Sequence, residues 1–202
     1  MNNYKVGTLL DSQYFLQSTL EDRELSTTYR VWHTGWESYL ILKISQNIDS
    51  PSLYSQMRKE AQEWVNLGIH PNIVSCYFFR EIDGHILLFM ELIEGNTLAQ
   101  IKKQFDGSLP EIISIALEIT NGMAYLEEEG IIHGNLKLES IFLDKSGRIK
   151  IRDIRWDYWQ GLEMLTKRMR SSFYPKSTEI QDVARIKQKA LERLYFLPPE
   201  YF

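Results

Sequence analysis

The chain changes character once along its length, and that change limits its fold more than any single residue does. The first half reads as strands. QYFLQSTL (13–20), STTYRVWH (26–33) and SYLILKIS (38–45) are short and rich in β-branched and aromatic residues, with Gly35 marking a turn between the second and third. They predict an antiparallel meander. A helix should follow, with Ser50 as cap, Pro51 at its first position and Gly68 at its stop. Leu53, Met57, Trp64 and Leu67 fall on one face of it, and so does Glu60, a carboxylate that needs a partner if it is buried. NIVSCYFFRE (72–81) and HILLFMELI (85–93) read as two further strands joined by IDG. Beyond EGNTLAQIKKQ the chain turns helical. Ser108 and Glu111 have capping-box spacing, Pro110 lies in the first turn, and Gly130 ends a long helix whose expected buried stripe is Ile112, Ala116, Ile119, Met123 and Leu126. A short hairpin, IFL–DKSG–RIKI, comes next. The expectation is an α+β chain with a boundary near Glu94–Asn96, residues 1–94 being β-rich and 95–202 largely helical.

Bulk properties remove several classes of function. A length of 202 residues suits one domain or two lobes sharing a core. The net charge of −4 carries no polyanion-binding signal, so nucleic acid is not an expected partner. Cys76 is the only cysteine and sits in the apolar run NIVSCYFF, where a small buried residue is expected and no disulfide is available within the chain. No stretch approaches the roughly 18 apolar residues of a membrane span, and MNNYKVGTLLDSQYF has no apolar signal core. A cytoplasmic protein without membrane contact is expected.

A series of short motifs then stands in a fixed order. SYLILKIS ends on Lys43, KEAQEWVNLGIHPNIV carries Glu60, LLFMELIEGNTL follows, and HGNLKLESIFL, IKIRDIR and YFLPPE complete the series. Each motif alone is weak, but the order and spacing together are specific. From Leu9 to Glu200 the chain resembles the protein-kinase family, in its bacterial Ser/Thr form. The resemblance implies a two-lobed fold: an antiparallel β-rich N-lobe with one helix, and a helical C-lobe. It places Lys43 at the lysine that grips the α/β phosphates and Glu60 at that lysine's helix partner. It makes Met90 the gatekeeper and Glu91 to Ile93 the hinge backbone that meets an adenine. Asp153 falls at the metal-binding aspartate, Lys137 at the catalytic-loop lysine, Glu200 at the glutamate of the A-P-E segment and His133 at a packed histidine. The sequence fixes no cofactor, and ATP with magnesium is the one the resemblance leaves open.

The departures from the family pattern are chemically specific. Aligned without a gap, the three glycines of the phosphate-covering loop become Glu21, Arg23 and Ser26. Glycines there let backbone approach phosphate closely. Glu21 and Glu24 instead bring negative charge toward a polyanion, at about 1 kcal/mol per 4 Å pair in water and roughly 4 kcal/mol at an effective dielectric of 20. Asn135 replaces the base aspartate, and an amide takes no proton at neutral pH. Loss of such a base costs about 10²–10⁴-fold in rate. Ser140 replaces the second metal ligand and leaves one carboxylate, Asp153, for metal. Gly134 replaces the arginine that in many kinases reads a phosphorylated activation loop. Arg155 replaces the glycine after Asp153, putting a cation where it could pair with that carboxylate in the metal's stead.

The chain ends at Phe202, so the family's helices αF to αI are expected to be missing, leaving a truncated C-lobe with a long activation segment. Within it Ile180, Val183, Ile186, Ala190, Leu191 and Leu194 outline a helix over 178–195 that is a candidate substitute for αF. The alternative is a protein partner or a second copy on the C-lobe face left uncovered. Joint loss of the glycine loop, the base and the second metal ligand implies a pseudokinase, a binding or regulatory module with no catalytic residue expected. Two readings of another class stay open: an atypical ATP-dependent transferase using Lys43, Glu60 and Asp153, and a weakly active Ser/Thr protein kinase.

Overall fold

The computed structural model describes residues 4–154, apart from 24, 25, 47, 49 and 104. Two antiparallel sheets and two long helices organise them. The larger sheet has six strands: β1 (Leu9–Leu10), β2 (Tyr14–Asp22), β3 (Ser26–His33), β4 (Ser38–Ser45), β5 (Cys76–Ile82) and β6 (His85–Glu91), in the order β1-β2-β3-β4-β6-β5. Pleating sorts the side chains of β4 onto two faces. Leu40, Leu42 and Ile44 join Tyr14, Leu16, Tyr29, Val31, Leu87 and Phe89 in one core cluster. Ile41 and Lys43 point the opposite way, toward the face covered by helix α1 (Pro51–Asn66).

Helix α1 follows its sequence signals. Ser50 Oγ accepts the Leu53 N–H at its start, and Gly68 takes φ +73° just after its end. Its inner face buries Met57, Ala61 and Trp64, and the Trp64 indole donates to Val74 O at 3.0 Å. Burying Met57 and Trp64 contributes about 1.5–3 kcal/mol each. Cys76 is buried, as expected, and burial pushes its thiol pKa up to about 12, so it is a packing residue.

The strand expected from residue 72 begins only at Cys76. Residues 72–74 are taken by the smaller sheet. Val74 N–H donates to Ile151 O, Ile151 N–H to Asn72 O, and the Asn72 amide reaches Ile149 O at 3.0 Å and Glu118 Oε2 at 2.8 Å. The smaller sheet comprises β7 (Gly95–Thr97), β8 (Ile141–Asp144) and β9 (Ile149–Ile151), in the order β7-β8-β9. Strand β7 and the short helix α2 (Leu98–Ile101), capped by Thr97 with Gln100, were not separated in the sequence reading of EGNTLAQIKKQ.

Helix α3 (Leu109–Glu128) starts at the expected Ser108–Glu111 capping box. Its expected stripe is only half correct. Leu126 is buried, and Ile119 and Met123 pack against the core, but Ile112 and Ala116 are exposed. The helix meets β9 through its second half, where a Cβ on Gly122 would lie 2.9 Å from Ile151 Cδ1, so its first turns run beyond the sheet they were expected to cover. Residues expected to form the 178–195 helix, together with Glu24, Arg155 and Glu200, lie outside the described residues.

Candidate functional site

The site lies where the β2–β3 hairpin, strand β4 and the segment after β9 converge. Strand β4 presents Lys43 on the inner face, paired in register with Thr28 and Leu88. Beyond β9 the chain turns at Asp153, which takes the left-handed φ of +64° that Asp tolerates better than most residues. Lys43 Nζ and Asp153 Oδ1 meet at 2.7 Å with both side chains almost fully buried. Two more cations flank the same carboxylate: Arg152 Nε at 3.3 Å and Arg23 at 4.0 Å from Oδ2. Burial alone would raise the Asp153 pKa. Lys43, then Arg152 and Arg23, more than reverse this and hold it far below the carboxylate range.

The hairpin that stands in place of a glycine loop is closed. Its ladder runs to Glu21↔Thr28 and Asp22↔Thr27, Arg23 N–H donates to Ser26 O, and Thr27 Oγ1 donates to Asp22 at 2.9 Å. Glu21 turns its carboxylate into the cluster, where it bonds Arg23 at 3.0 Å and, through its other oxygen, the Arg152 guanidinium. Arg152 thereby links the larger sheet to the smaller one, and its guanidinium also lies 4.6 Å above the Phe142 ring on β8. Sequence reading placed a cation beside Asp153 but chose Arg155. Among the described residues the cations there are Arg152 and Arg23. Glu21 and Arg152 are 131 positions apart, and the only available signal was an arginine directly before Asp153 in a chain with acids in its loop.

The catalytic-loop segment keeps its shape by internal bonds. His133 is buried. Its Nδ1 accepts the Asn135 N–H at 3.2 Å, and Nε2 lies 3.0 Å from Arg152 O, which fixes the Nε2–H tautomer. Burial lowers its pKa to about 4, so it is a neutral packed residue at pH 7. Gly134 takes φ +65°, a conformation that glycine adopts readily and a long side chain does not. Asn135 carries a buried Nδ2 with no hydrogen-bond partner, a donor where the family has a base. The Ser140 hydroxyl is spent locally, donating to Lys137 O at 2.8 Å and accepting the Lys137 N–H at 3.0 Å. Lys137 is half-buried in the same turn.

The remaining expected residues are placed nearby. Met90 is buried and pairs with Ile41 and Cys76, between β4 and β5. Glu91 ends β6, and its carboxylate accepts from Ser75 N at 3.1 Å and from Lys150 at 3.0 Å, a second tie between the sheets that sequence reading missed. Ile93 lies just past that strand and packs against the core. Glu60 is buried on α1, and one of its oxygens accepts from Gln56 at 3.1 Å.

A divalent metal does not fit these donors. Both Asp153 oxygens face cations, the Ser140 hydroxyl is bonded within its own turn, and among the described residues no three His, Cys, Asp or Glu side chains gather as a metal-binding group. A phosphate-bearing nucleotide meets Lys43 as the family would offer it, but also the carboxylate of Glu21.

Comparisons with known proteins agree with this geometry. The protein kinase domain family matches residues 23–156. Serine/threonine-protein kinase PknL of Mycobacterium tuberculosis is 28% identical over 151 residues, which are 73% of this chain and 37% of that protein. A probable serine/threonine-protein kinase of Dictyostelium discoideum, kinX, is 33% identical over 123 residues, 52% of this chain and 11% of the relative. The chain therefore spans well under half the length of these relatives. Among solved structures, the Mycobacterium tuberculosis PknI kinase domain superposes with a TM-score of 0.64 at 20% identity, covering 76% of this chain and 63% of that one. It shares the two-lobed fold. Among the described residues no helix is long and apolar enough to cross a membrane.

Proposed function

This chain belongs to the protein-kinase family, and from that premise we propose that it is a pseudokinase: a kinase-fold binding and regulatory module, cytoplasmic, that does not transfer phosphate. One observation carries the reading. Asp153, the carboxylate that would hold metal, is bound by Lys43 and flanked by Arg152 and Arg23. Asn135 and Ser140 support it, since an amide cannot act as base and the serine hydroxyl is committed to its own turn. The module acts through a protein partner. The C-lobe face proposed for it is the first half of α3, where Leu109, Ile112, Ile113 and Leu117 are exposed.

The test is γ-phosphoryl transfer from ATP with Mg²⁺ or Mn²⁺, to the chain itself and to a mixed peptide library. No transfer above that of Asp153→Asn is expected. Transfer by the wild type that disappears in Asp153→Asn contradicts the proposal. That result would favour the second reading, an atypical ATP-dependent transferase or weak Ser/Thr kinase, for which the intact Lys43–Asp153 pair speaks.

A further inference from the structure

Glu21 occupies a position of unusual chemistry. Its two carboxylate oxygens are divided between two guanidiniums, Arg23 from its own hairpin and Arg152 from beyond β9. Two arginines converging on one oxyanion is the arrangement that proteins use for phosphoryl groups. Beside it Lys43 and Arg152 meet Asp153, in the place where the metal-bridged phosphates of a nucleotide would need a divalent cation. The donors present do not suit that cation.

We propose that Glu21 is an internal stand-in for a phosphoryl group, and that Arg23 and Arg152 form a metal-independent site for a polyphosphate, open to ligand only when Glu21 withdraws. The inference rests on the family reading of the cleft and not on the absence of phosphotransfer. Arg152 does two jobs in it. With Glu21 bound it ties the hairpin of the larger sheet to the smaller sheet. With ligand bound it supplies charge that magnesium supplies elsewhere in the family. The occupied and self-occupied states therefore differ in whether the hairpin is tied to the segment after β9, which makes the anion a switch of the cleft's closure.

Titration calorimetry in EDTA with ATP, inorganic tripolyphosphate and adenosine tests this on the wild type, Glu21→Gln, and Glu21→Gln combined with Arg152→Gln. Glu21→Gln is expected to bind ATP and tripolyphosphate at least about tenfold more tightly than the wild type, and the double variant to lose that gain. Equal gains for both anions assign the site to the polyphosphate alone, and a larger gain for ATP assigns it to a nucleotide. Both outcomes support the proposal. Unchanged affinity in Glu21→Gln, a gain that survives loss of Arg152, or binding that requires Mg²⁺ overturns it. Arg23→Gln in the Glu21→Gln background repeats the test should Arg152→Gln fail to fold. Phosphoryl transfer on the same samples is a separate readout: transfer by the wild type defeats the regulatory reading of the chain and leaves this binding result standing.

Discussion

Asp153 and Lys43 are both withdrawn from water at 2.7 Å, so neither can lose its partner cheaply. Removing one member of such a pair leaves an uncompensated buried charge, at about 3–5 kcal/mol. Lys43→Met should therefore lower unfolding stability by about 3 kcal/mol in urea titrations at pH 7, and a loss below about 1 kcal/mol would show that the pair is solvated. The pH dependence has a different source. Because Asp153 has a folded pKa below its unfolded value, its contribution is complete above about pH 4 and fades only in stronger acid. His133 acts in the milder range. Its folded pKa of about 4 lies below the unfolded value of about 6.5, so the unfolded chain binds the extra proton and stability falls with pH across that window. Between pH 6.5 and 5 the loss should reach about 2 kcal/mol and should be absent in His133→Gln, as measured by denaturant midpoints at the two pH values. A wild type whose midpoint is flat over that range would mean that His133 is charged in the fold.

Elements were legible in the sequence where local chemistry decides them. STTYRVWH and SYLILKIS form β3 and β4 with the expected bounds, because alternation and a turn at Gly35 are local signals. Ser50, Pro51 and Gly68 bound α1 for the same reason. Elements whose state depends on distant chain were less legible. Asn72 to Val74 read as strand but pair with β9, 77 positions away, and α3 kept its ends while half of its stripe proved exposed. The candidate site divides in the same way. Lys43, Glu60, Met90 and Asp153 could be placed from motifs, whereas the Glu21–Arg152 and Glu91–Lys150 ties arise only when two sheets meet. The α3–β9 contact yields a prediction at this scale. Gly122→Ala sets a methyl 2.9 Å from Ile151 Cδ1 and 3.2 Å from Asn72 O, so despite the better helix propensity of alanine it should destabilise by about 1–3 kcal/mol. Thermal melts would read this, and a stabilised variant would show that the helix sits further from the sheet.

For the whole molecule, a family fold has been kept while the charges in its cleft have been rearranged. The larger sheet and α1 present Lys43 and Glu60 as a kinase does, and the hairpin and the segment after β9 fill the space between with Glu21, Arg23 and Arg152. The consequence is a cleft that does not depend on magnesium. The most direct test is the melting temperature of the wild type and Lys43→Ala with millimolar ATP, in Mg²⁺ and in EDTA. A nucleotide bound through metal at about 100 times its dissociation constant would add roughly 2.7 kcal/mol, or about 5–10 °C for a chain of this size. The wild type should melt no higher with ATP in Mg²⁺ than with ATP in EDTA. A rise of that size that needs both Mg²⁺ and Lys43 would contradict the account and return the chain to the metal-dependent kinases.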